Sequence, residues 1–405
     1  MSVPFSFVGP LPPSKSILIR YLLLQGYAPD LHIPILSACA DVRVMQAAMA
    51  TLRRTGPANA SEPVVVDCGE AGLVLRLCLA YAARRGGRFR LGGSPRLLSR
   101  PHAPLLAALA ALGSQIETTT GGEPISLYSP QGFVPPRAPL SLRGGGSSQF
   151  ASALILNAWE LPFPLAIDID EEPVSEGYLS MSLHIAEQLG MRVERSAQGR
   201  LHIAAGQRLQ PRLISAEADV SSAFAVAALA CVAGRAHITN FPRLSLQPDG
   251  KFIELLAGMG VPVQLSDDGL HVAQVAPGAL RPLSANVAGC PDVVPVLAVL
   301  CALASGESTL HGAPHLRGKE SDRIAETAAL LRLLGREVSE RADGLQIRGC
   351  AVTAADRARR LAFDAGRDHR LVMAAAVARW AGFDLTISGQ DAVDKSFPEF
   401  RSIAL

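Results

Sequence analysis

The chain has 405 residues, of which 49% are hydrophobic and 18% charged, and its net charge is +2. That much apolar material supports two or three packed domains and excludes a disordered polypeptide. A nearly balanced charge supplies no basic field for nucleic acid or an anionic membrane, so neither is expected as a partner. The seven cysteines (Cys39, Cys68, Cys78, Cys231, Cys290, Cys301 and Cys350) form no CxxC pair and no Cys/His spacing that suits zinc. They read as small buried thiols in a reducing cytoplasm. No secretory leader pattern opens the chain. The longest apolar run, 293–304, is shorter than the roughly 20 residues of a membrane span.

In chain order, the predicted helices cover 11–24, 41–56, 67–82, 102–113, 144–158, 177–190, 217–234, 249–260, 289–306, 322–335 and 366–382. They alternate in kind. The odd members open on a turn rich in Gly, Ser, Pro or Asp and are apolar nearly all round. The even members carry apolar residues at helical spacing and close on Gly. Short strands are expected among them, including Met191–Glu194, Ala236–Ile238, Val261–Gln264 and Ser308–Leu310. The pattern reads as a β-α-β-α-β-β unit of roughly 60–70 residues, returning about six times. Helices apolar all round belong inside a protein, so the fold class is α/β with buried helices and sheets outside them. Helix N-termini that converge on one face would bind anions through free N–H groups and the helix dipole.

Charge placement supports that reading. The segment LRGKESDRIAET, 316–327, sets Arg317, Lys319, Glu320, Asp322 and Arg323 just before an apolar helix. A helix start carries partial positive charge and favours acids, so extra cations there point to an anionic ligand. Gly144–Gly146 followed by Ser147 and Ser148 offers backbone N–H groups and hydroxyls for a phosphate. It lacks the GK[ST] of a P-loop, which excludes that mode of nucleotide binding.

The segments LPPSKSILIR, ADVRVM, GLVLR, LLSRPHAPLLAALAALG, SSQFASALI, EPVSEGY, EADVSSA, PDVVPVLAVLCALASGES, LRGKESDRI, DHRLVMAAA and DKSFPEF occur in that order from Leu11 to Phe400. With them the chain resembles the enolpyruvyl transferases, most closely the 3-phosphoshikimate 1-carboxyvinyltransferases (EPSP synthases). The resemblance implies a two-domain inside-out α/β barrel of six βαβαββ repeats, three per domain. One domain would span 14–216 and the other 1–13 plus 217–405, with the active site in the cleft between them. It also implies a cytoplasmic monomer that needs no cofactor, metal or covalent nucleophile.

The implied reaction moves the enolpyruvyl group of phosphoenolpyruvate to the 5-hydroxyl of shikimate 3-phosphate by addition and elimination. Such a reaction needs a proton donor at C3 and a base at the hydroxyl. By resemblance, Glu320 serves C3, Asp292 takes the hydroxyl proton, and Lys15 contacts both substrates. Shikimate 3-phosphate would meet Lys15, Ser16, Arg20, Ser147, Ser148, Gln149, Ser175, Asp292, His315 and Lys319, with Tyr178 beside the ring. Phosphoenolpyruvate would meet Lys15, Gly72, Arg100, Gln149, Arg323, Arg370 and Lys395; the Arg side chains suit paired bonds to carboxylate and phosphate. His369 is a candidate partner for a carboxylate or the leaving phosphate.

Three positions depart from the family. The segment usually reading NAGTAMR is EAGLVLR here, placing Glu70 and Leu73 beside Gly72. His315 stands where many members carry Asn. The rival readings are an enolpyruvyl transferase for another phosphorylated cyclitol and a non-catalytic anion-binding relative. A UDP-N-acetylglucosamine enolpyruvyl transferase fits less well, because the loop SPRLLSR has no thiol.

Overall fold

The computed structural model describes residues 3–54, 62–118, 122–144, 146–170, 175–210 and 212–405. Contacts divide the chain into two compact units. One is continuous, Lys15–Ala216, and is called the inserted unit below. The other, the split unit, joins the N-terminal segment through Ser14 to Glu217–Leu405.

The inserted unit carries two four-stranded sheets of the same design. In the first, Val64–Asp67 runs parallel to Gly87–Gly92, which pairs antiparallel with Ile125–Ser129, and Gln115–Glu117 closes the edge. The second repeats this order with Leu140–Ser141, Leu165–Asp168, Arg200–Ile203 and Val193–Arg195. In both, the parallel pair is joined through an apolar helix, the crossover that parallel strands require. Those helices, Gly72–Arg85 and Ser148–Leu156, pack on each other and on Lys15–Leu24.

The split unit contains two sheets with the same strand order. They are Phe5–Gly9, Gly234–Ile238, Gly269–Ala273 and Val263–Ser266, then Ser284–Asn286, Gly306–His311, Gly344–Gly349 and Glu337–Arg341. A further parallel pair joins Arg360–Asp364 to Asp384–Ser388. The helices Val220–Ala233, Val294–Leu303 and His369–Trp380 pack on one another. All ten residues of Val294–Leu303 are buried, which only a helix without a polar face tolerates. Truncating a core residue such as Leu297 to Ala would cost about 2–5 kcal/mol.

Some strands start later than their hydrophobic pattern implies. Met191 still donates its N–H to the Ala186 carbonyl, and Val261 donates to that of Leu256. These residues finish the preceding helices, so the strands begin at Val193 and Val263 instead. Among the described residues, no helix is long and apolar enough to cross a membrane.

Candidate active site

In the inserted unit, the N-terminal turns of the three packed helices hold most of the candidate residues. Lys15 opens the first helix and its Nζ lies 3.0 Å from Asp41 Oδ2. Arg20, one turn on, is only 1% exposed. Its Nε donates to Ser182 Oγ at 2.8 Å, Nη1 to the Ser16 carbonyl at 2.7 Å and Nη2 to the Tyr178 carbonyl at 3.2 Å. None of these acceptors is a carboxylate. Burial therefore lowers the Arg20 guanidinium to about 10. Ser182 donates onward to Ser152 Oγ, and Ser152 to the Ser148 carbonyl. This hydroxyl chain ties the buried arginine to the helix that carries Ser148 and Gln149.

Ser147 caps that helix, its Oγ accepting from Gln149 N at 3.3 Å. Gln149 Oε1 accepts from Arg76 Nη1 at 2.5 Å, while Arg76 Nη2 reaches the Pro101 carbonyl. Gly72 starts the third helix against Arg100; a methyl group on Gly72 would lie 2.6 Å from Arg100 Nη1. Burial, with Arg76 and Arg100 nearby, lowers the His102 imidazole to about 4. Ser175 precedes the helix Glu176–Gln188 in the left-handed region, with φ of 56°. A non-glycine residue there bears strain of about 1–3 kcal/mol. The residues of EPVSEGY before Ser175, 172–174, and Gly145 lie outside the described residues.

The split unit gathers the other candidates around Arg323, which is 1% exposed. Its Nε donates to Asp368 Oδ2 at 2.8 Å, Nη1 to Asp292 Oδ1 at 2.9 Å, and Nη2 to Glu320 Oε2 at 3.0 Å and Asp368 Oδ1 at 3.2 Å. Burial opposes its charge, yet Asp368, Glu320 and Asp292 hold its pKa well above the ordinary value. Arg370 Nη2 donates to Asp292 Oδ2 at 3.2 Å, and Lys395 Nζ lies 3.4 Å from Glu320 Oε1. Burial alone would raise the Asp292 carboxyl, but Arg370, Arg323 and Lys319 together hold it well below the carboxylate range. His315 is pushed down to about 3 by burial and by Lys319 and Arg323, against the opposing pull of Asp292. It is a neutral imidazole near neutral pH.

Local sequence explains the arrangement. Asp322 caps the helix Arg323–Leu333 by accepting from Ile324 N and Ala325 N, which leaves Glu320 and Lys319 in the turn before it. Asp368 caps His369–Trp380 through Arg370 N at 3.0 Å while holding Arg323. Asp292 makes no cap bond; its oxygens go to the two arginines.

A sequence profile described as EPSP synthase (3-phosphoshikimate 1-carboxyvinyltransferase) matches residues 36–403. The chain belongs to the EPSP synthase family. It is 31% identical to the 3-phosphoshikimate 1-carboxyvinyltransferase of Methanoculleus marisnigri, over 98% of this chain and 96% of that one. It is 34% identical to the protein of that name from Burkholderia ambifaria, over 96% and 94%. In fold it is similar to the EPSP synthase of Acinetobacter baumannii, with a TM-score of 0.71 at 21% identity over 99% and 95% of the chains. It is also similar to the enolpyruvyl transferase NikO of Streptomyces tendae, with a TM-score of 0.70 at 14% identity over 99% and 94%.

Within this family member, the expected residues fall into two groups. Lys15, Ser16, Arg20, Gly72, Arg100, Ser147, Ser148, Gln149, Ser175 and Tyr178 belong to the inserted unit. Asp292, His315, Lys319, Glu320, Arg323, Arg370 and Lys395 belong to the split unit. Arg323 holds three of the protein's own carboxylates, Asp292, Glu320 and Asp368. Glu70 and Leu73 are half-buried at the start of the helix Gly72–Arg85. His369 is buried, with Nδ1 3.8 Å from Asp368 Oδ1. Sequence reasoning assigned no role to Asp368, Arg76, Asp41 or Ser182. The first three sit inside the quoted motifs DHR, GLVLR and ADVRVM, which was the available signal. Among the described residues, the one grouping with metal-ligand spacing is His237, Asp268 and His271, and it shares no residue with either cluster.

Proposed function

We propose that this protein transfers the enolpyruvyl group of phosphoenolpyruvate to the 5-hydroxyl of shikimate 3-phosphate, releasing phosphate, within aromatic amino acid biosynthesis. The observation that carries the chemistry is the pair of carboxylates, Asp292 and Glu320, hung on a single buried arginine. On this reading both clusters serve one pair of substrates, and the two units hold three βαβαββ repeats each.

The carboxylates account for the proton steps. Asp292 is a weak base while Arg370 and Arg323 hold it. An anionic substrate that takes over donors of those arginines weakens the pairing and raises the Asp292 pKa. Substrate binding thus converts a spectator carboxylate into an acceptor for the hydroxyl proton. Glu320, between Arg323 and Lys395, delivers a proton to C3 and takes one back in the elimination. The departing phosphate is stabilised by the same cations. Neutral His315 offers one ring N–H to the shikimate phosphate, much as an Asn amide would.

The inserted unit supplies binding. Arg20 is a buried cation whose hydrogen bonds in the protein go to neutral oxygens, so it favours an incoming anion. Gly72 leaves room for the Arg100 fork to meet phosphoenolpyruvate. The test is phosphate release from purified protein. Release is expected only when both substrates are present; release with a different cyclitol phosphate, or binding of both without release, would replace this reading.

A further inference from the structure

We propose that His237, Asp268 and His271 form a surface site for a borderline divalent transition-metal ion of the zinc class, which pins a hairpin turn to its sheet. His237 lies on the strand Gly234–Ile238 and His271 directly opposite it on Gly269–Ala273. Both project from the face opposite to buried Ala236, Ile238, Leu270 and Val272. Their rings stack at 4.0 Å between centroids, 18° from parallel. Two protonated imidazoles at that spacing repel, whereas two neutral ones can present ring nitrogens to a shared cation.

The third ligand comes from the tight turn between the antiparallel strands Val263–Ser266 and Gly269–Ala273. Asp268 Oδ1 lies 3.1 Å from His271 Nε2, and Oδ2 lies 3.5 Å from His237 Nε2. Each histidine nitrogen thus lies near one of the two carboxylate oxygens, at about the ~3.3 Å that separates neighbouring ligand atoms around a tetrahedral zinc. One ligand atom from each residue falls within 4.8 Å of the others. Two nitrogens and one oxygen suit zinc, nickel or copper rather than calcium or magnesium, with water completing the shell.

The carboxylate is also held in place. Ser266 Oγ donates to Asp268 Oδ1 at 2.6 Å, and the neighbouring Asp267 turns away to pair with Arg243. Gly269 packs so tightly that a methyl group on it would lie 2.1 Å from the Ile238 carbonyl oxygen. The turn therefore cannot drift from the strand that bears His237. Metal binding moves the His237 proton to Nδ1, and Nε2 gives up its 2.8 Å hydrogen bond to the Asp268 carbonyl.

The test is calorimetric titration of zinc chloride into the chelator-treated full chain, wild type beside His271→Ala and Asp268→Asn. Wild type should bind one zinc at this site and melt at a higher temperature with it. Each variant should bind at least about tenfold more weakly. Cobalt should give a tetrahedral visible spectrum in wild type that is lost in His271→Ala. No zinc uptake by wild type, or equal affinity in all three proteins, would overturn the site. Phosphate release, read separately, should be unchanged in both variants. Its absence from wild type would count against the proposed transferase reaction and leave the metal result standing.

Discussion

The two clusters differ in how their buried arginines manage charge. In the split unit, Arg323 meets Asp292, Glu320 and Asp368, Arg370 meets Asp292, and Lys395 meets Glu320. In the inserted unit Lys15 pairs with Asp41, while buried Arg20 meets hydroxyl and carbonyl oxygens. Arg20, bonded in the protein to neutral oxygens, is poised to receive an anion from outside. A cation already shared among three carboxylates tunes them and passes its charge to a ligand only by releasing one. On the function proposed above, the expected division of labour draws affinity mainly from the inserted unit and proton transfer from the split unit.

Substitutions can break that division. Asp292→Asn should lower kcat about 10²–10⁴-fold, the usual worth of a positioned acid or base, and shift KM for either substrate far less. Arg323→Leu should be the most destabilising change in either cluster. It leaves Asp368, which is fully buried, without its counterion, and about 3–5 kcal/mol is at stake, readable as a lowered melting temperature. Arg20→Gln should weaken shikimate 3-phosphate about 10–100-fold by calorimetry, the loss expected for charge-assisted hydrogen bonds, with a smaller effect on kcat. Equal losses of binding and turnover in Arg20→Gln and Asp292→Asn would erase the distinction. Gly72→Ala should raise KM for phosphoenolpyruvate and leave shikimate 3-phosphate binding nearly unchanged, because the added methyl displaces Arg100.

Another prediction concerns acid stability. His102 falls from 6.5 to about 4 in the folded chain. Between those pH values the unfolded state binds a proton that the native state does not, so stability rises with pH through the window. The full contribution is present above pH 6.5 and is lost as pH falls to about 4. His102→Gln should flatten the stability curve there by about 1.4 kcal/mol per pH unit, measured by urea titration across the window. An unchanged slope would mean that His102 is not held neutral.

Much of the architecture is legible in the sequence, because helices apolar all round can only be interior and because Ser, Asp and Gly mark their starts. The edges of short strands are less so. Met191 and Val261 look like strand residues by hydrophobicity, but their N–H groups are claimed by the preceding helix ends. The charged cluster at 316–327 is visible as a pattern, and its true partners are not. Asp292 and Asp368 lie 31 and 45 residues from Arg323 and meet it only through the packing of three helices. Ser182 and Ser152 beneath Arg20 carry no signal, since a buried serine reads like any other small residue. His237 and His271 become neighbours through strand register alone.

The most direct measurement compares Glu320→Gln with wild type in two assays, calorimetric binding of shikimate 3-phosphate and steady-state phosphate release with both substrates. The division of labour predicts nearly unchanged affinity together with a kcat lower by about 10²–10⁴-fold. Turnover close to wild type in that variant, or binding lost in step with turnover, would contradict it.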